Sequence, residues 1–529
     1  DGMVVDSLTE QFGIRSLEFS PEFGFKLNGK KIFLQGNANH HDLGALGATC
    51  YDKAIERMML QLKSFGYNCI RCSHNPYSDS FARIADRVGI LVVDELTDKW
   101  SDNDYWGGRQ PFTHIWHKLI TEWIKRDRNR PSIILWSLGN ELQIREGWAG
   151  FEGTNDWGIT TYNIFNQLVK RWDHTRLTTV AMFPARAGAI TRHDKEFNDY
   201  LVPPELACAT EVASFNYQSD KYDAYLKYRP DLILFQSEAE TSNLLQPYYN
   251  MDKERMVGIA YWGSVEYWGE SNKWPKKGWN YSFFEHTMRP YPQAYLIKTA
   301  FMPEIPEVHI GVVDAAGAES VSWNDVIVGR MALNECWNHT PGSRRSLFTF
   351  TNAHSVELLV NGQSMGIQKN DTTRANLRNM IYWKDVPYGN GGSVVAIARD
   401  KSGKEVARHR IETAGKAVAL RIEAETPTDW KADGMDLQYI NVTVIDKKGR
   451  PVWDYNEPLT LQMEGAARLV ALDNGDHYTD ELFHGITSKR MYQGRMQIIL
   501  RSDQEAGNVT VKISSAGLKG TLRLKTIKE

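Results

Sequence analysis

Cysteine is scarce. Five residues in 529 are too few for a disulfide scaffold, and the odd number leaves at least one thiol free within a monomer. Long apolar runs are missing as well: no stretch reaches the roughly 18 residues of a membrane span. The amino terminus, DGMVVDSLTEQFGIRSLEF, has neither a basic n-region nor an apolar h-region, so it does not read as a signal peptide. Charge of one sign is also lacking. Lys and Arg number 62 against 65 Asp and Glu, a formal net charge of -3, which gives no overall pull toward nucleic acid or an anionic membrane. The partner to expect is neutral and soluble.

What is present is enough apolar material, 42% of the chain, for several cores. At about 150 residues per domain, the length implies three to four domains. The seventeen Trp read first as core residues, although rings in loops after strands also stack on the apolar face of a sugar. Cys69 and Cys72 form a CxxC in YNCIRCSH. On a strand, positions i and i+3 point to opposite sides, so no redox or metal role is expected of the pair.

Between residues 31 and 301, short apolar runs alternate with amphipathic segments. The runs are KIFLQG, YNCIRCSH, ILVVDEL, IILWSLGNE, TTVAMF, VASFNYQ, LILFQSEAE and VGIAYWGSV. Helical patterns lie between them. In DKAIERMMLQLKSFG, Ile55, Met58, Met59 and Leu62 fall at the i, i+3, i+4, i+7 spacing. Eight such rounds predict a (β/α)8 TIM barrel, with a doubly wound open sheet as the competing topology. After FMPEIPEV the texture becomes β-branched runs divided by turn signals, among them Asn361-Gly362 between alternating runs. Two immunoglobulin-like β-sandwich modules are expected there. The boundaries read as 1–20, the end of another immunoglobulin-like sandwich; 21–303, the barrel; 304–412 and 413–529, the two tail sandwiches. DNGD at 473–476 lacks the later ligands of a calcium loop and reads as a tight turn.

A (β/α)8 barrel keeps its chemistry at the carboxyl ends of its strands. Read in order, those ends carry His40, His41 and Asp42; Arg71, His74 and Asn75; Asp94 and Glu95; Asn140 and Glu141; Asn216 and Tyr217; Glu238 and Glu240; Trp262 and Glu266. A structural role is open to each, such as Arg71 pairing with Asp94 or Glu95, and clustering at one end is what points to function. Two carboxylates across a pocket suit glycoside cleavage, one protonating the leaving oxygen and the other attacking the anomeric carbon. Their environments must hold one protonated and the other ionised. Glu141 on the fourth strand and Glu238 on the seventh are placed to face each other.

The segments GNANHHD (36–42), IRCSHNP (70–76), GILVVDE (89–95), RDRNRPSIILWSLGNE (126–141) and YWGSVEYWGES (261–271) resemble, in this order, the barrel of glycoside hydrolase family 2. That family holds β-galactosidases, β-glucuronidases and β-mannosidases. The resemblance implies that Glu141 is the general acid/base, that Asn140 binds the sugar 2-hydroxyl, and that Glu238 in FQSEAETS is the nucleophile. Glu240, two residues on, competes with Glu238 for that role because on a strand both point the same way. Tyr217 is implied as a hydrogen-bond donor to the nucleophile, and His40, Arg71, His74 and Trp262 as pocket residues. Glu266 stands where the family pattern has Asp, implying an altered pocket contact. Arg130 stands where it has His, at the opposite barrel end. The head resembles only the close of the family's immunoglobulin-like domain, so a truncated or split form is expected. The tail resembles domains of secreted or periplasmic bacterial β-galactosidases.

These implications add up to a retaining exo-acting enzyme for terminal β-D-galactosides of an oligosaccharide or glycan. β-Glucuronidase, β-galacturonidase and β-mannosidase are the alternatives within the family, and a non-catalytic carbohydrate-binding protein is the alternative outside it. No cofactor is expected. No metal is expected either, since the Glu-x-His element that some magnesium-using relatives carry after strand three is replaced by DELTDKW. The Asn-x-Lys element of uronide-cleaving members is missing from ESNKWPKKGWNYSFFEH, where Asn272 and Lys273 are adjacent. A uronate would instead meet Glu266 or Glu270, with Lys276 or Lys277 left to reach in from the loop. A homo-oligomer is compatible with all of this.

Overall fold

The computed structural model describes residues 3–100, 112–142, 156, 158–183, 202–242, 244–271, 273–314, 319–323 and 326–528. Eight strands close into a barrel: Leu34–Asn39, Cys69–Cys72, Leu91–Glu95, Ile133–Asn140, Leu177–Met182, Val212–Asn216, Leu234–Ala239 and Gly258–Trp262. Every neighbouring pair is parallel. The last strand pairs with the first from Gly258 against Leu34 to Trp262 against Ala38, which decides for the closed barrel over an open sheet. All eight residues of Ile133–Asn140 are buried, as expected of a strand covered on both faces.

The helices outside follow from their apolar stripes. Asp52–Ser64 buries Ile55, Met58, Met59 and Leu62, the spacing seen in the sequence. Asp79–Val88 starts where the Ser78 hydroxyl accepts the Phe81 N–H, and it ends at Gly89, whose φ of 75° puts it in the left-handed region. Cys69 packs with the barrel interior and Cys72 with the helix-facing core, so the alternation rule holds. Both thiols are free, and burial pushes that of Cys69 up to about 12. Among the described residues, no helix is long and apolar enough to cross a membrane.

At the amino end, Leu17–Ser20, Gly24–Leu27 and Lys30–Lys31 form a three-stranded sheet. The expected boundary at 20/21 falls inside this hairpin. Phe25, fully buried beside Leu34 and Val257, and the Lys31 ammonium, bonded to the carbonyls of Phe23 and Met256, tie it to the floor of the barrel.

Two β-sandwiches follow. In the first, the sheet of Val308–Val313, Leu333–Asn334, Arg344–Thr351 and Met380–Pro387 packs on that of Ser355–Val360, Gln363–Lys369, Ser393–Arg399 and Glu405–Glu412, around Trp337 and Trp383. In the second, Ala417–Ala424, Leu437–Asp446, Ala467–Asp473 and Arg495–Ser502 face Pro458–Gly465, Ser488–Arg490, Asn508–Ser515 and Leu518–Lys525, around Trp430. This second sandwich folds back onto the barrel. Leu437, Tyr439, Ala471 and Ile499 pack on Ala45, Leu46 and Ala54, while Arg57 grips the Glu425 carboxylate at 2.7 and 2.9 Å.

Candidate active site at the barrel mouth

The residues at the strand ends meet around one buried cation. Arg71, 1% exposed, is the residue before the last of the second strand. Its guanidinium donates to Glu95 Oε2 at 2.7 and 3.0 Å, to Glu238 Oε1 at 2.7 Å and to Asn140 Oδ1 at 3.0 Å. Burial pulls the Arg71 pKa down, but the Glu95 and Glu238 charges outweigh it and raise it. Glu95 is pushed up by burial and brought below its ordinary value by Arg71 and His74. Asp94, the other acid considered for Arg71, turns the opposite way and accepts the Trp123 indole N–H at 2.6 Å.

Glu238 sits in this cluster. Tyr217 donates its phenol proton to Oε2 at 2.6 Å, Arg71 takes Oε1, and His74 Nε2 stands 3.7 Å from the same oxygen. Burial, and after it the Glu238 charge, lift the Tyr217 pKa well above its ordinary value, so the phenol remains a donor. Glu240 lies one residue past the strand end at Ala239 and is half-buried. The period-two rule that made the two acids equivalent stops there.

Asn140 links the two carboxylates. Its Oδ1 accepts from both Arg71 and Asn216 at 3.0 Å, and Asn216 Nδ2 also reaches Glu141 Oε1 at 3.3 Å. The Asn140 amide nitrogen is held by Asp98 Oδ1 at 3.0 Å and faces His74 Nε2 at 3.2 Å. Asp98 is pushed up by burial yet lowered to about 2 by His74 and Lys99. Glu141 is 5% exposed and takes a φ of 49°, with its N–H bonded to Ala181 O at 2.7 Å.

His40 and Trp262 form the wall beside this cluster. The Trp262 ring lies flat on His74 at 5.3 Å, and His40 meets Trp262, His74 and Tyr267 edge-on. Behind His40 lies Glu270, 3.9 Å from its Nε2 and hydrogen-bonded by the Tyr267 phenol. Burial raises Glu270, and His40 more than offsets it, holding the carboxyl below its ordinary value.

Glu266 does not join the pocket. The eighth strand ends at Trp262, Gly263 turns the chain at φ 60°, and Glu266 N–H bonds to Phe284 O. Its fully buried carboxylate is thereby turned to His286, Tyr291 and the second sandwich. Lys276 is also buried, its ammonium 4.0 Å over the Tyr281 ring, and Lys277 lies 5.9 Å from Phe483 of the second sandwich. Asn272 lies outside the described residues. Asp98 and Tyr267 escaped the sequence reading. Asp98 sits in the loop after the third barrel strand and Tyr267 in the two-residue strand Tyr267–Trp268, both too short to mark a direction by periodicity, and the signal available was only their closeness to barrel-strand ends.

The model of the glycosyl hydrolases family 2 TIM barrel domain matches residues 22–255, and that of the glycoside hydrolase family 2 C-terminal domain 5 matches 420–522. A domain of unknown function matches 342–407. The chain belongs to glycoside hydrolase family 2. A β-galactosidase of Bacteroides ovatus is 27% identical over 97% of this chain and 64% of its own length. A Formosa agariphila protein provisionally named a β-glucuronidase is 44% identical over 99% of this chain and 51% of its own. A solved family 2 member from Bacteroides cellulosilyticus superposes with a TM-score of 0.85 at 28% identity, over 98% of this chain and 65% of that one. The chain thus spans about half to two thirds of the relatives it matches.

In this family 2 chain, Arg71 is the one Arg or Lys side chain that donates hydrogen bonds to both Glu95 and Glu238 among the described residues. Replacing it by Met strands two buried carboxylates, which costs about 3–5 kcal/mol. Calorimetry of Arg71→Met is expected to show a markedly lowered barrel transition, and a loss below about 1 kcal/mol would contradict the charge balance described here.

Proposed function

We propose that the chain is the catalytic part of a retaining, exo-acting β-glycosidase that removes terminal β-D-galactosides. The observation that carries this reading is the bridged pair: Glu141 and Glu238, from opposite sides of the barrel mouth, joined through Asn216, Asn140 and Arg71. In the first step Glu141 gives its proton to the glycosidic oxygen while a Glu238 oxygen attacks the anomeric carbon, so the aglycone leaves as an alcohol. In the second, Glu141 takes a proton from water, and the water oxygen displaces Glu238 with overall retention. Arg71 and Tyr217 fix the two oxygens of Glu238. His74, His40 and Trp262 shape the sugar site, with Asn140 nearest the 2-hydroxyl.

A neutral sugar is supported by Glu270, which His40 keeps ionised beside the pocket. A uronate meets like charge there, whereas a hydroxymethyl group does not. Glu266 contributes nothing to that discrimination. A β-glucuronide is the second reading, favoured by the provisional name of the 44% identical relative and by Lys276, held close behind the Tyr281 ring.

Two experiments test the proposal. With an activated aryl glycoside, Glu141→Ala is expected to be accelerated by azide and to yield the β-azide; no rescue, or an α-azide, overturns the acid/base role. The sugar is tested by kcat/KM on aryl β-galactoside, β-glucuronide, β-galacturonide, β-mannoside and β-glucoside. The galactoside is expected to lead. A leading uronide overturns the neutral-sugar reading, a leading mannoside or glucoside overturns galactose, and turnover of none overturns the enzyme reading in favour of a binding protein.

A further inference from the structure

Away from the barrel mouth, the described residues gather two groups of His and carboxylate side chains close enough to share an ion: Glu266, His286 and His477; and His309, Glu335 and His409. The second is already satisfied. Its imidazoles stack at 4.0 Å and 23°, so their in-plane lone pairs run side by side instead of converging. His409 Nδ1 accepts the Ile310 N–H, and Arg289 pairs with Glu335 at 3.1 Å.

The first group differs in how its rings are set. Its imidazoles are inclined at 60°. His286 Nδ1 lies 3.0 Å and His477 Nδ1 3.4 Å from Glu266 Oε2. A tetrahedral ion with bonds of about 2.0–2.1 Å sets its ligands about 3.3–3.4 Å apart, which matches the His477 separation and exceeds that of His286 by about 0.3–0.4 Å. Behind His286, Asp473 Oδ1 stands 2.9 Å from Nε2. A carboxylate in that place fixes the tautomer of a metal-bound imidazole. With the proton on Nε2, the Nδ1 lone pair faces a carboxylate oxygen at 3.0 Å, and a cation between them removes the repulsion.

His477 supplies the independent observation. It is 4% exposed; its Nε2 has no hydrogen-bond partner among the described residues, and its Nδ1 faces the Glu266 carboxylate at 3.4 Å. Burying an imidazole with one nitrogen unpartnered is costly. The Trp268 ring stacks on His477 at 5.0 Å and 26° and meets His286 tilted at 51°. A cavity of about 140 Å³, lined in part by His477, Tyr291, Arg330 and Gly475, opens beside His477 and leaves room for water. Glu266 and Asp473 bring two negative charges at 0% and 1% exposure. The Arg330 guanidinium, at 3.7 Å, and the Tyr291 hydroxyl, at 2.7 Å, both address Glu266 Oε1, while Oε2 also takes the His286 N–H at 3.2 Å.

We propose that Glu266 Oε2, His286 Nδ1 and His477 Nδ1, with a water from the cavity, bind one zinc-like divalent cation that pins the second sandwich to the barrel. Glu266 and His286 come from the loops after the eighth barrel strand, and His477 follows the sandwich strand Ala467–Asp473. The ion is a clamp between domains and takes no part in glycoside cleavage. Its rival is a proton, with a histidinium at His286 bridging Glu266 and Asp473.

The test is zinc titration of the chelator-treated chain, followed by calorimetry and elemental analysis. One equivalent is expected, with a thermal midpoint that falls on chelation and recovers with zinc. His477→Phe keeps the stack on Trp268 without a donor nitrogen and is expected to bind at least 100-fold more weakly; Asp473→Asn should bind about 10–100-fold more weakly. Cobalt in the wild-type chain should show the visible absorption of a tetrahedral site, which keeps the test open if a variant does not fold. A wild-type chain that takes up no zinc, or a folded His477→Phe with wild-type affinity, overturns the proposal and leaves the proton.

Discussion

The site depends on one buried guanidinium. Arg71 holds Glu95, Glu238 and Asn140 together from strands two, three, four and seven. Two carboxylates that close to each other in a desolvated barrel mouth would otherwise repel, and one would take up a proton. The planar fork of Arg71 satisfies both acids and still reaches the Asn140 carbonyl, which in turn orders Asn216 and, through it, Glu141. A Lys at this position carries the charge but not the geometry. The closed barrel supplies the rest, because it points all these strand ends at one volume.

Three of the eleven non-glycine residues with positive φ among the described residues lie at the same place. Glu141, Tyr217 and Glu270 all adopt positive φ, at 49°, 58° and 50°. Non-glycine residues pay for this conformation and keep it where the surroundings over-determine it. Glu141 N–H is tied to Ala181 O, and Tyr217 N–H to Glu238 O. The chain therefore leaves its strands abruptly there, aiming a carboxylate and a phenol inward instead of continuing the pleat.

Much of this was legible in the sequence because burial writes periodicity. The eight apolar runs correspond to the eight barrel strands, the stripe Ile55, Met58, Met59 and Leu62 packs inward, and Asn361-Gly362 turns a hairpin. The reading failed where the strands stop. It carried the eighth strand's direction on to Glu266, but Gly263 reverses the chain, and that carboxylate serves the domain interface. Nor did spacing reveal the company Glu266 keeps. His286 reaches it from twenty residues further along the same stretch of loops, and His477 only because the second sandwich folds back over the loop after strand one, a contact between segments with no shared local pattern. Glu238 and Glu240 were inseparable on paper and differ in space because the strand ends between them.

The central claim is that Glu238, presented by Arg71 and Tyr217, is the group that bonds to the sugar. A 2-deoxy-2-fluoro glycoside with a good leaving group traps such an intermediate, because the fluorine slows its hydrolysis more than its formation. Peptide mass spectrometry of the trapped protein is predicted to find the sugar on Glu238. A label on Glu240 or Glu141, or turnover of the parent glycoside with no covalent adduct, would contradict the account.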